Sequence, residues 1–90
     1  MIVVFSDDAI EDLSSILAYL GERNSKAADR IGRRLVEAAD KIAPFPHSGR
    51  PGLRDGTREI PTVWPYVIVY RVTETEVQIL RVWHSAQDRA

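Results

Sequence analysis

Apolar residues recur along this chain with two periods, and the places where the period changes mark its elements. Residues 1–5, Met-Ile-Val-Val-Phe, are a β-branched and aromatic run that predicts a strand. Ser6, Asp7 and Asp8 then offer helix N-caps, with Asp8 and Glu11 at capping-box spacing. Asp7, Asp8, Glu11 and Asp12 crowd the first turn, where carboxylates suit the positive end of a helix dipole. Ile10, Leu13, Leu17 and Leu20 follow at helical spacing, Ile16 and Tyr19 widen the stripe, and Gly21 is the expected stop. Ser25 is the expected cap of a second helix whose stripe is Ala28, Ile31, Leu35, Ala38 and Ile42. Arg30, Arg33, Arg34, Glu37 and Lys41 fall mostly off that stripe, and Pro44 closes the helix.

Residues 44–56 hold three of the five prolines and three of the five glycines, which predicts a long loop. Residues 57–64 read as a strand, and Pro61 inside it denies one ladder hydrogen bond, so the strand lies at an edge or across a bulge. Residues 66–72, Tyr-Val-Ile-Val-Tyr-Arg-Val, are apolar on both faces up to Arg71, as in a central strand. Residues 76–84 form the last strand. Two amphipathic helices joined by about four residues make an antiparallel hairpin, and neither buries its stripe alone. The expected fold is α+β: strand, helix, helix, then three strands, with the helix hairpin packed on one face of a mainly antiparallel sheet. Where the first strand joins that sheet is left open.

Composition narrows the class. Ninety residues make one domain, 1–90, and with no cysteine the 44% hydrophobic content stabilises it alone or with a partner chain. No apolar run is long enough to span a membrane, and residues 1–8 carry neither a basic region nor a cleavage site, so a cytoplasmic protein is expected. A net charge of −1 argues against a protein that grips nucleic acid by itself. The cations are ten arginines against two lysines, a choice that favours planar contacts to carboxylates and phosphates.

Four segments in a fixed order carry a family resemblance: Gly49-Arg50-Pro51-Gly52, Gly56-Thr57-Arg58-Glu59-Ile60, the strand at 66–72, and Ile79-Leu80-Arg81-Val82-Trp83-His84. Ala9, Asp12, Leu13 and Ile16, then Ala27 and Ala28, stand where the same family keeps them. The chain resembles the ParE/RelE toxin superfamily, often labelled plasmid stabilisation proteins, from Val3 to His84. The resemblance implies the toxin of a type II toxin–antitoxin pair. A cognate antitoxin wraps it with helical and extended segments, in a higher-order complex, and no cofactor or metal is involved. RelE-type members cut messenger RNA on the ribosome, whereas ParE-type members block DNA gyrase.

The chemistry favours the second branch. RNA cleavage through a 2′-hydroxyl needs proton-transfer groups and cationic donors. RelE-like enzymes place an arginine directly after the first aromatic residue of the central strand, and here that position is Val67. Their further arginine and tyrosine follow the last strand, where this chain has residues 85–90, with one arginine and no tyrosine. Strand parity sets His84 with Val82 and Leu80, and Arg81 with Ile79 and Trp83, on opposite faces. The expected role is therefore a gyrase inhibitor acting by binding, with no catalytic residues. The alternatives are an mRNA endoribonuclease or a non-toxic relative that only binds antitoxin. Arg58, Arg81, Trp83, His84 and Arg89 are the candidates for target binding, with Arg50 and Arg54 in the loop. Ala9, Ile16 and Tyr19, on the flank of the hairpin, are the candidates for antitoxin binding.

Overall fold

The computed structural model describes residues 1–86, apart from the side chain of Thr62. Its elements are β1 (Ile2–Phe5), α1 (Asp7–Arg23), α2 (Ser25–Asp40), β2 (Arg50–Pro51), β3 (Arg58–Val63), β4 (Tyr66–Val72) and β5 (Glu76–His84). The strands form one sheet in the order β1-β5-β4-β3-β2, antiparallel except for the parallel pair of β1 with β5. Both helices lie on one face, and the architecture is the α+β layering expected from the sequence. The sequence left β1 unplaced, and the structure sets it at an edge.

The helix boundaries follow local hydrogen-bonding chemistry. Ser6 is the cap of α1: its Oγ accepts from the Ala9 N–H at 3.0 Å and donates to the Leu80 carbonyl at 2.9 Å. The Asp8 and Glu11 pairing expected from spacing lies inside the helix. Gly21 does not stop α1, which runs to Arg23. Asn24 both ends α1 and starts α2, its N–H donating to the Leu20 carbonyl and its Oδ1 accepting from the Ala27 N–H at 3.1 Å. One residue thus makes the turn, and Asn24 replaces Ser25 as the cap.

The core lies between helices and sheet, with Ala9, Leu35, Ala39 and Ile42 against Ile68, Tyr70, Val77, Ile79 and Val82. The α1 stripe is shallower than its periodicity suggests. Ala9 is its one fully buried residue and Ile10 is 52% exposed. Pro61 sits where the pairing of β3 with β4 shifts register, beyond the end of the two-residue β2, so the missing N–H falls at a bulge.

A second bulge changes the faces of β5. Arg81 pairs with Val69 and Ile79 with Tyr70, leaving Leu80 without a partner. Parity is broken there: Ile79 turns into the core beside Val82, while Leu80, Arg81 and Trp83 share the open face, away from the helices. The expected grouping of Arg81 with Ile79 is therefore incorrect. The opposition of Arg81 and His84 survives, because Arg81 and His84 both lie beyond the extra residue.

Two devices hold the irregular parts. The buried Tyr70 hydroxyl donates to the Pro46 carbonyl at 2.8 Å and accepts from the Gly49 N–H at 2.9 Å. Arg58 Nη1 donates to the His47 and Gly49 carbonyls at 3.1 and 3.0 Å. A Cβ on Gly49 would come within 2.6 Å of the Tyr70 hydroxyl, so only glycine admits this clasp. The second device is Asp12, whose Oδ2 accepts from the Val82 N–H at 3.0 Å on the part of β5 that β1 does not reach.

Tyr70→Phe strands the Gly49 N–H, and we expect a loss of about 1–3 kcal/mol in urea unfolding with faster exchange of the Gly49 amide. Unchanged exchange there would rule out the clasp. Asp12→Ala uncovers the Val82 N–H and unpairs Arg81, with an expected cost of about 1–3 kcal/mol. Asp12→Glu should recover little of it, since the longer side chain misplaces the carboxylate.

Candidate functional site

The open face of the sheet bears a hollow of about 460 Å3, and its lining includes Leu53, Arg54, Arg71, Leu80, Arg81 and Trp83. The bulge at Leu80 puts Arg81 there, and Asp12 fixes it. Arg81 Nε lies 2.7 Å from Asp12 Oδ2 and Nη2 lies 2.9 Å from Oδ1, a two-pronged pair. Hydrogen bonding to Asp12 holds the Arg81 pKa above its ordinary value against the opposing effect of burial. The guanidinium also stands 4.9 Å from the Trp83 ring centroid, within cation–π range. Arg54 and Arg71 are exposed on the same hollow. Asp8, Asp55 and Glu59 line it too, and Glu59, nearly buried, pairs with Arg50 at 3.3 Å. Among the described residues, three arginines thus meet three carboxylates there, and no histidine lines the hollow.

His84 lies on the helix-side face, paired across the ladder with Tyr66. The two rings stand edge to face with centroids 5.7 Å apart, and His84 Nδ1 accepts from the Ala86 N–H at 3.1 Å. Burial, and then the Tyr19 phenol, raise the Tyr66 hydroxyl above the usual tyrosine value. Val67, opposite Trp83 in the ladder, is 2% exposed. It fills its position with hydrocarbon and offers nothing to a phosphate.

The residues expected to bind a target therefore do not form one patch. Arg81 and Trp83 share the open face. Arg58 straps the loop at the far end of β3, His84 faces the other way, and Arg89 lies outside the described residues. Of the loop arginines, Arg54 joins the open-face hollow and Arg50 is paired with Glu59. Arg71 also joins that hollow, as does Leu53 of the loop, 68% exposed, which sequence reasoning missed.

The antitoxin candidates are also redistributed. Ala9 is sealed in the core, which removes it as a contact. Ile16 packs against the core, and Tyr19 is exposed with the Arg23 guanidinium 3.8 Å above its ring. The apolar groove between the helices is lined instead by Leu13 and Leu17 of α1 and by Ala28, Gly32 and Val36 of α2. Gly32 opens it, because a Cβ there would stand 3.0 Å from a Leu17 methyl. Among the described residues no cluster of His, Cys, Asp and Glu could hold a metal, and no helix is long and apolar enough to cross a membrane.

Comparison with known proteins agrees with this architecture. The family model described as the ParE toxin of the type II toxin–antitoxin system parDE matches residues 3–89. Toxin RelE2 of Caulobacter vibrioides is 42% identical over 86 residues, which cover 94% of this chain and 96% of the relative. The putative toxin Y4kP of Sinorhizobium fredii is 40% identical over 80 residues, covering 88% and 82%. Toxin RelE1 of Caulobacter vibrioides is 34% identical over 90 residues, covering 97% and 96%. A chain of the chromosomal ParDE TA system from P. aeruginosa superposes with a TM-score of 0.77 at 25% identity, covering 93% of this chain and 95% of that one. With the family model spanning nearly every residue and the helix hairpin on its mixed sheet matching a solved member, this chain belongs to the ParE toxin family of type II toxin–antitoxin systems.

Proposed function

We propose that this toxin arrests growth by binding DNA gyrase in the cytoplasm, with no chemistry of its own, and that a cognate antitoxin neutralises it in a higher-order complex. The observation that carries this reading is the open face. Its hollow joins Arg54, Arg71, Arg81 and Trp83, while the central-strand position after Tyr66 is the buried Val67. Tryptophan and arginine are the usual anchors of a protein interface. An RNA-cutting site needs a proton-transfer pair beside unneutralised cations. Here Arg81 is already matched by Asp12, and His84 is on the other side of the sheet. The bases in the hollow are carboxylates that sit among the arginines. Removing one transition-state donor typically costs about 100-fold to 1,000-fold in rate, so a missing central arginine weighs heavily.

The antitoxin contact follows from the apolar groove between α1 and α2, where an amphipathic helix would seat its apolar face, and from the free outer edge of β1, where an extended segment could add a strand. Tyr19 and Ile16 flank α1 beside that groove and act as secondary contacts. Two relatives carry the RelE name, which keeps ribosome-dependent mRNA cleavage as the second reading.

Induced expression in a bacterial host should stop growth, and the purified chain should inhibit gyrase supercoiling while leaving ribosome-bound transcripts intact. Trp83→Ala combined with Arg71→Ala should weaken that inhibition by about tenfold or more with the fold retained by circular dichroism. Transcript cleavage on ribosomes would replace the gyrase reading with the nuclease one, and unimpaired growth would leave only antitoxin binding.

A further inference from the structure

The outer face of α2 is strongly charged. Lys26, Arg30, Arg33, Arg34 and Lys41 are all exposed there. Asp29, Glu37 and Asp40 share the helix, so α2 with its C-cap Lys41 is net positive by two, five cations against three acids. None of the five cations forms an ion pair with an acid among the described residues. On α1 the sign is reversed, with Asp7, Asp8, Glu11 and Asp12 at its start. The near-zero charge of the chain thus hides a separation of signs between its helices.

This basic face lies between an apolar groove and a cleft whose lining mixes apolar and charged residues. On one side is the α1–α2 groove, of about 690 Å3, with Arg33 and Glu37 on its α2 wall. On the other is a cleft of similar volume between α2 and β3, with an apolar part of Ala38, Ile42, Ile60, Pro61 and Val63, flanked by Arg34, Glu37 and Lys41 of α2 and by the Arg50–Glu59 pair. The bulge at Pro61 shifts the β3 ladder beside that cleft. A third hollow, lined by Lys26, Asp29, Arg30, Arg33, Arg34 and Glu37, joins them over the top of the helix. It shares Asp29, Arg33 and Glu37 with the groove, and Arg34 and Glu37 with the cleft. The three make one continuous track around α2: apolar, then cationic, then an apolar patch within charged walls.

We infer that the antitoxin segment seated in the α1–α2 groove continues across α2 into the α2–β3 cleft, and that it is acidic where it crosses and apolar on both sides. The inference rests on the reading that the antitoxin docks in that groove, and it adds the path and the charge pattern of the partner. Unpaired arginines along the crossing reward carboxylates and penalise a basic segment, so the strip sets specificity as well as affinity. Crossing a helix about 10–12 Å wide takes roughly four extended residues at about 3.3 Å each, which fixes the length of the acidic stretch.

The test uses the full chain and two synthetic peptides of about ten residues, each with leucines at both ends and either four glutamates or four lysines between them. The glutamate peptide should bind at least about tenfold more tightly at low salt, with the advantage shrinking as salt is raised. Amide shifts should appear at both Val36 and Ile60, on opposite sides of α2. Arg30→Glu with Arg34→Glu, both on the exposed face, should reverse the preference while the circular dichroism spectrum stays unchanged. Equal affinity for the two peptides, shifts confined to the α1–α2 groove, or an unreversed preference in the double variant would overturn the track. Val36→Glu separates the two levels. If it abolishes peptide binding while the double variant keeps its acid preference, the groove reading stands and the path across α2 falls. If it leaves binding intact, the groove reading itself falls.

Discussion

Strand β5 has nine residues and its parallel neighbour β1 only four, so the second half of β5 has no strand on its outer side. The rest of the fold depends on how that bare edge is satisfied. The α1 helix supplies the answer, with the Ser6 hydroxyl on the Leu80 carbonyl and the Asp12 carboxylate on the Val82 N–H. A side chain stands in for the missing ladder, and in doing so it pins the helix layer to the sheet at a defined depth. Ala9 is the one fully buried residue of α1, with Leu13 and Ile16 partly buried, so this polar seam adds to the core in positioning the helix.

The same carboxylate governs the open face. By taking both prongs of Arg81, Asp12 makes that cation a structural member. The bulge at Leu80 is what brings the two within reach, since in an unbroken ladder Arg81 would share the core-facing side with Ile79. Arg58 is likewise committed, to the carbonyls of the loop that Tyr70 clasps. Two arginines that look available in the sequence are thus holding the domain together. Exposed arginines include Arg54 and Arg71 on the open-face hollow and Arg30, Arg33 and Arg34 along α2.

A domain of this size cannot bury all of its apolar surface, and the uncovered remainder matches a protein made to be held by another. The groove between the helices and the outer edge of β1 expose hydrocarbon, and the cleft beside β3 holds an apolar patch between charged walls. Charge divides them. The acidic start of α1 and the basic face of α2 give the hairpin a polarity that its net charge conceals.

The order and type of the elements were legible in the sequence, because period and turn chemistry are local: β4 announces itself by an unbroken apolar run, the α2 stripe by its spacing, and the β3 irregularity by Pro61. So was the absence of a central-strand arginine, since Val67 is a matter of identity alone. The rest depended on contacts between distant residues. Nothing local distinguishes Asp12 from its neighbours Asp8 and Glu11, and only the end of β1 opposite β5 makes it the partner of Val82. An inserted residue in a ladder depends on what the neighbouring strand offers, so the parity rule that grouped Arg81 with Ile79 had no means of detecting Leu80. Ala9 and Tyr19 share an amphipathic flank on paper, yet one is sealed and the other is bare, because the sheet reaches only part of α1. Periodicity fixes which side of a helix is apolar; which part of that side is covered is decided by the length and placement of the strands beneath it.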